Sequence, residues 1–223
     1  MPTTVEQTYQ KYKIKTESNI TNDGIATDRG RFVEQFNEQQ IVFEEMHLQQ
    51  RAVDDIRYIQ KFLVLGVPIE PSKRAEDKED FDLPLNYLDI AGVKAKASKE
   101  KCKQKDLYLF EVQTEDLSEI LQDSDNKPSF LWREAPYTVN NNTVSVYTAG
   151  DFSVDKILLD YYRYPQAISL QDPLNPESGF NESYTIEWDD KSLNRIISMC
   201  AEASDINENN PRFQLQKLRQ QKQ

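Results

Sequence analysis

Two cysteines, Cys102 and Cys200, and a single histidine, His47, are the side chains that invite a search for metal or nucleophile chemistry. A structural zinc site takes four ligands in local pairs, and this set does not supply them. Both cysteines read as small side chains of a reducing compartment, with no disulfide framework. His47 falls inside a helical pattern as a packing or surface residue, where a Ser/His or Cys/His pair is hard to build. The six glycines are scattered, and none forms a Gly-rich turn before Lys-Ser/Thr. No serine occupies a Gly-x-Ser-x-Gly elbow. The run DSDNKP at 123–128 lacks the glycine and distal glutamate of a calcium loop. A two-carboxylate hydrolase stays open in principle, but a chain with 38 acidic residues offers such pairs everywhere. The Asn-x-Ser/Thr triplets at Asn19, Asn141 and Asn181 matter only in a secreted chain. The residues thus predict no catalytic group, no metal and no cofactor.

What positions the side chains is a chain of 223 residues with a formal charge of −11, enough for one domain or two small ones. A chain this long buries roughly 70 % of its unfolded surface. Ten Phe and eleven Tyr argue for a folded core despite 29 % charged residues. No apolar run approaches the ~20 residues of a membrane span, and the polar start MPTTVEQTYQ lacks a signal-peptide core. The acidity argues against general nucleic-acid binding, which needs clustered Lys and Arg.

Residues 1–26 read as an extended arm. A long helix is expected over 27–66, capped by Asp28 and stopped by Gly66 and Pro68. On it Phe32, Phe36, Phe43, Met46 and Val53 share about a 100° arc, and Ile41, Leu48, Ala52 and Ile59 form a second stripe. Two stripes call for two packing partners, either both in the same chain or one in a neighbouring subunit. A β-rich insert follows at 67–170, with strands at DLYLFEV, SFLWREA, NTVSVYTA and KILLDYYRYP, making a small antiparallel sheet of four or five strands. SKRAEDKED reads as a solvated charge run. Between Lys94 and Lys105 six lysines are offset only by Glu100, a solvated edge or a docking site for an acidic partner. Residues 171–188 read as a loop with a short strand from Ser183 to Trp188. Residues 189–223 read as a helix with an apolar stripe of Leu193, Ile197 and Cys200, ending in a basic, Gln-rich tail with Arg212, Lys217 and Arg219. The fold class expected is α+β: a helical bundle, with the long N-terminal and the C-terminal helix, carrying an inserted small antiparallel β module and extended termini.

This order of parts resembles the head-to-tail connector proteins of tailed bacteriophages. Three segments look like the ring and head–tail joining proteins of crAss-like phages: Ala52 to Val64, Tyr161 to Leu170, and Asp189 to Gln216. Tyr161, Tyr162, Arg163 and Pro165 match a Tyr-Tyr-Arg-x-Pro strand run, and Asn210, Pro211, Arg212 and Gln214 an Asn-Pro-Arg-x-Gln turn. The resemblance implies a non-catalytic virion protein, made in the bacterial host cytoplasm. It would form a dodecameric ring below the portal protein, with adjacent ring or tail proteins as further partners and DNA passing through without specific binding. The residues expected at subunit or partner interfaces are Phe32, Phe36, Phe43, Met46, Tyr161, Tyr162, Arg163, Arg212, Phe213, Lys217 and Arg219. The competing readings are a non-viral cytoplasmic scaffold module and a phage assembly factor absent from the mature virion.

Overall fold

The computed structural model describes residues 3–19, 28–50, 57–100, 102–123, 126–175 and 178–205. The chain divides into two compact units, one made of 1–60 with 165–223, the other of 61–164. The short helix α3 (Leu117–Gln122) belongs to the second.

The first unit holds helices α1 (Val5–Asn19), α2 (Arg29–Gln50) and α4 (Asp190–Asp205), with α1 and α2 each packing on α4. The expected N-terminal arm is here a helix. Its start is a capping box: the Gln7 amide donates to Thr4 Oγ1 (3.2 Å), and the Thr4 amide donates to Gln7 Oε1 (3.1 Å). Val5, Tyr9, Tyr12 and Thr16 then recur at helical spacing and are all buried. Asp28 caps α2 by accepting from the Arg31 amide at 2.6 Å. Asp189 caps α4, accepting from the Ser192 amide and from its hydroxyl. Phe32 is the centre of the packing, with ring centroids of Tyr9, Tyr12, Phe36 and Phe180 5.1–5.9 Å away. Burying each such ring contributes about 1.5–3 kcal/mol. Trp188 closes the other end of α2, edge-on to Phe43 at 5.3 Å and donating from Nε1 to Gln40.

The second unit is one sheet of eight strands: β1 (Leu63–Ile69), β2 (Lys73–Arg74), β3 (Lys78–Asp82), β4 (Tyr87–Ser98), β5 (Lys105–Glu111), β6 (Glu134–Asn140), β7 (Thr143–Tyr147) and β8 (Ser153–Arg163). The order across it is β1-β8-β4-β5-β6-β7-β3-β2. All pairs are antiparallel except β5 with β6. The sheet curls into a half-barrel around its own core of Phe81, Ala95, Leu107, Ile157, Leu159 and their neighbours.

This overturns the expectation of a helical bundle with a small antiparallel insert: strands dominate the core, and the sheet is large and mixed. Three local causes account for the difference. First, the helix expected through residue 66 gives way before Leu63, because Val64 and Val67 turn inward as partners of β8. Gly66, at φ +65°, forms the bulge between them and donates its amide to Asp160 (2.6 Å). Pro68 sits on this edge strand, where a missing donor is tolerated. Second, the charge run at 72–80 forms the β2–β3 hairpin, with Glu79 and Phe81 facing inward. Third, the expected strand at 129–135 begins only at Glu134, and 130–133 is a turn. The segment 183–188 is irregular as well.

Candidate interaction surface

Strict alternation along β4, β5 and β8 divides the sheet into two faces. Ala95, Ala97, Leu107, Leu109, Ile157 and Leu159 point into the core. The intervening residues face outward, and the register aligns them in rows. Lys156 stands opposite Lys96, and Leu158 opposite Lys94. Lys94 in turn stands opposite Tyr108, and Lys96 bonds to Asp106 at 3.3 Å. Directly opposed residues share a face, so Lys94, Lys96 and Lys156 lie on the outward face with Tyr108, which is 67 % exposed. Asp106, Glu134, Asp155 and Asp160 are acids of the same face.

The parallel β5–β6 pair explains what borders Tyr108. A parallel partner needs a crossover connection, here 112–133 with α3 on it. The crossover returns the chain to the start of β5, so the turn at 129–133 lies beside Lys105 and Tyr108. Several bonds fix it there. The Tyr108 amide donates to Arg133 O (2.7 Å), the Arg133 amide to Ser129 O (2.9 Å), and the Trp132 amide to Ser129 Oγ (3.2 Å). Arg133 takes φ +64° to make the return. Phe130 is driven inward against Phe152, with the Lys105 ammonium 4.6 Å from its ring centroid. Leu131 and Trp132 are left outside, 74 % and 76 % exposed. Adjacent large apolar side chains held outward by a hydrogen-bonded turn make this turn the candidate binding surface. Trp, Tyr and Arg are also the residues that dominate binding energy at protein interfaces.

The neighbouring charges are organised. Lys99 pairs with Asp151, and its hydrogen bond holds the Asp151 carboxyl below its usual range. On the opposite face, burial pushes the Tyr87 hydroxyl up to about 12 and raises that of Tyr137, with Glu111 adding to both. In both the protonated phenol is favoured. Burial also raises the Cys200 thiol to about 12, away from reactive thiolate. Among the described residues no group of three or more His, Cys, Asp or Glu could hold a metal ion, and no helix is long and apolar enough to cross a membrane.

The residues expected at interfaces fall in several places. Phe32, Phe36 and Phe43 are enclosed in the core of the first unit, while Met46 is 38 % exposed. Tyr161 is buried on β8, donating its hydroxyl to Asn86 (3.0 Å), and Tyr162 is buried beside it. The Arg163 guanidinium lies 5.3 Å from the ring centroid of Phe62. Arg212, Phe213, Lys217 and Arg219 lie outside the described residues, as do Ala52 and Val53 of the two expected stripes. Of the lysines at 94–105, Lys94 and Lys103 are exposed and Lys96, Lys99 and Lys105 half-buried, while Lys101 lies outside the described residues. Tyr108, Leu131 and Trp132 were not singled out by sequence reasoning. An alternating pattern hides them, because SFLWREA mimics a strand and the left-handed turn at Arg133 has no glycine to announce it. No protein-family model and no curated protein sequence matches the chain.

Proposed function

We propose that the chain is a non-catalytic structural protein of a tailed-phage virion. It forms a ring in the head-to-tail connector, below the portal protein, extends the DNA channel and docks further tail components. The observation that carries its docking role is the Leu131–Trp132 turn, held outward by the hydrogen bonds of Ser129, Arg133 and Tyr108. The assignment to a connector draws on the likeness of Tyr161 to Leu170 and the two other segments to ring and joining proteins. A net charge of −11 suits a channel through which DNA slides without adhering. The test is quantitative mass spectrometry of gradient-purified particles, with copy number referenced to the portal. A fixed ratio near one to one is expected. Absence from intact particles would overturn the reading in favour of an assembly factor or a cytoplasmic scaffold.

A further inference from the structure

The first unit holds a pocket of about 510 Å³ at the start of α1. Residues 3–6 line one wall, and Gln171 with residues 179–182, 184 and 185 lines the other. Its size falls within the ~300–1,000 Å³ of small-molecule sites. Backbone pairing shapes the second wall. Leu170 and Phe180 form a bridge, the Gln171 amide donates to Gly179 O (2.8 Å), and the Asn181 amide donates to Ser169 O (3.0 Å). Asn181 then turns the chain, its Oδ1 accepting from the Ser183 amide at 3.0 Å and its carbonyl from the Tyr184 amide at 3.2 Å. The Gln171 carboxamide lies against Gly179, with Cδ and Oε1 3.4 Å from where a Cβ would stand.

The lining selects among ligand classes. An anion would meet the carboxylates of Glu6 and Glu182. A cation would find Glu6 already engaged, by Arg29 Nη2 at 3.5 Å and by Gln10 Nε2 at 2.8 Å. The Arg29 guanidinium also lies 5.7 Å from the ring centroid of Phe180, so positive charge already backs that wall. A hydrocarbon would leave the polar edge unmatched. That edge is well supplied: Asn181 Nδ2 and the side chains of Gln171, Glu182, Tyr184 and Thr185 make no hydrogen bond to other described residues. They include both donors and acceptors, set around the buried Val5 and Phe180. A hydroxyl group both donates and accepts, so a ligand dense in hydroxyls matches this mixture, and its C–H faces match the apolar floor.

We propose that this pocket binds a neutral saccharide of one or two units. Its ring packs on Phe180 and Tyr184, and Gln171, Asn181 and Glu182 hold its hydroxyls. The site is separate from the Leu131–Trp132 turn and does not depend on the connector reading.

The test is titration of the full-length, heavy-nitrogen-labelled protein with glucose, galactose, mannose, N-acetylglucosamine, maltose and lactose, followed by its amide resonances. At least one sugar should give saturable shifts centred on Val5, Gln171, Asn181, Glu182 and Thr185. Gln171→Ala and Glu182→Gln should each weaken that sugar about tenfold, and circular dichroism checks that both variants fold. Phosphate, spermidine and a synthetic peptide of residues 212–223 serve as anionic, cationic and peptide controls. Saturable shifts from none of the sugars, shifts centred elsewhere, or an affinity unchanged in both variants would each overturn the assignment. Saturation of the same amides by one of the three controls in place of a sugar would do so too, and would name the competing ligand class.

Discussion

Trp132 and Trp188 are the two indoles of the chain, and they meet opposite environments: one is 76 % exposed on a tight turn, the other is buried against Phe43. Acrylamide should therefore quench the emission in two classes, and Trp132→Phe should remove the accessible class while leaving the protected one. A single protected class in the wild type would show that the turn is covered. Glu79 is the other residue whose environment makes a clear demand. Its carboxylate accepts the Val154 amide at 2.7 Å from a buried position. Burial raises its pKa above 4.5; the Val154 bond and Arg74 pull it back, and Asp155 pushes it up. A raised folded-state value means the neutral form favours folding. That contribution is full in acid and is lost as pH rises through the folded pKa. Glu79→Gln removes this loss, so its stability relative to wild type should improve from about pH 4 to about pH 7.5 in urea titrations. Asp80 and Asp151 titrate with the opposite sign but are common to both proteins and cancel. Glu79→Leu, by contrast, leaves the Val154 amide unpaired and should cost about 1–3 kcal/mol at either pH.

At the scale of elements, α2 does more than bury an apolar stripe. The Asn37 side chain grips Ile168 from both sides, donating to its carbonyl at 2.9 Å and accepting from its amide at 2.8 Å. It pairs with an irregular segment as a neighbouring strand would. Asn37→Ala should destabilise the first unit by about 1–3 kcal/mol in denaturant titration, and a change within error would mean water replaces the amide. How far such elements could be read from sequence depended on whether the signal was local. Asp28 announces α2, and the doubly apolar KILLDYYRYP announces β8, which lies between β1 and β4. Other elements were harder. The capping box of α1 is present in Thr4-Val5-Glu6-Gln7, but the helix is buried through tyrosines and threonines, which score as polar. Leu63 to Ile69 continued a helical pattern, and only pairing with β8, ninety residues away in sequence, selects the strand. The turn carrying Trp132 depends on a parallel crossover, a property of topology that no local window holds.

For the whole molecule, the sheet unit at 61–164 is continuous in sequence and encloses its own core, whereas the helical unit is assembled from two distant segments. A fragment spanning 61–164 should accordingly fold alone, with a cooperative thermal transition and dispersed amide resonances. A broad transition with collapsed spectra would show that the sheet depends on the rest of the chain. The proposed role, a structural ring component that docks its neighbours through the Leu131–Trp132 turn, is tested most directly by incorporation. Copy number in purified particles should be measured side by side for the wild type and for Trp132→Ala, each referenced to the portal. The account predicts a fixed ratio near one to one for the wild type and loss of the variant from particles despite its normal fold. Wild-type chain missing from intact particles, or Trp132→Ala incorporated at the wild-type ratio, would contradict it.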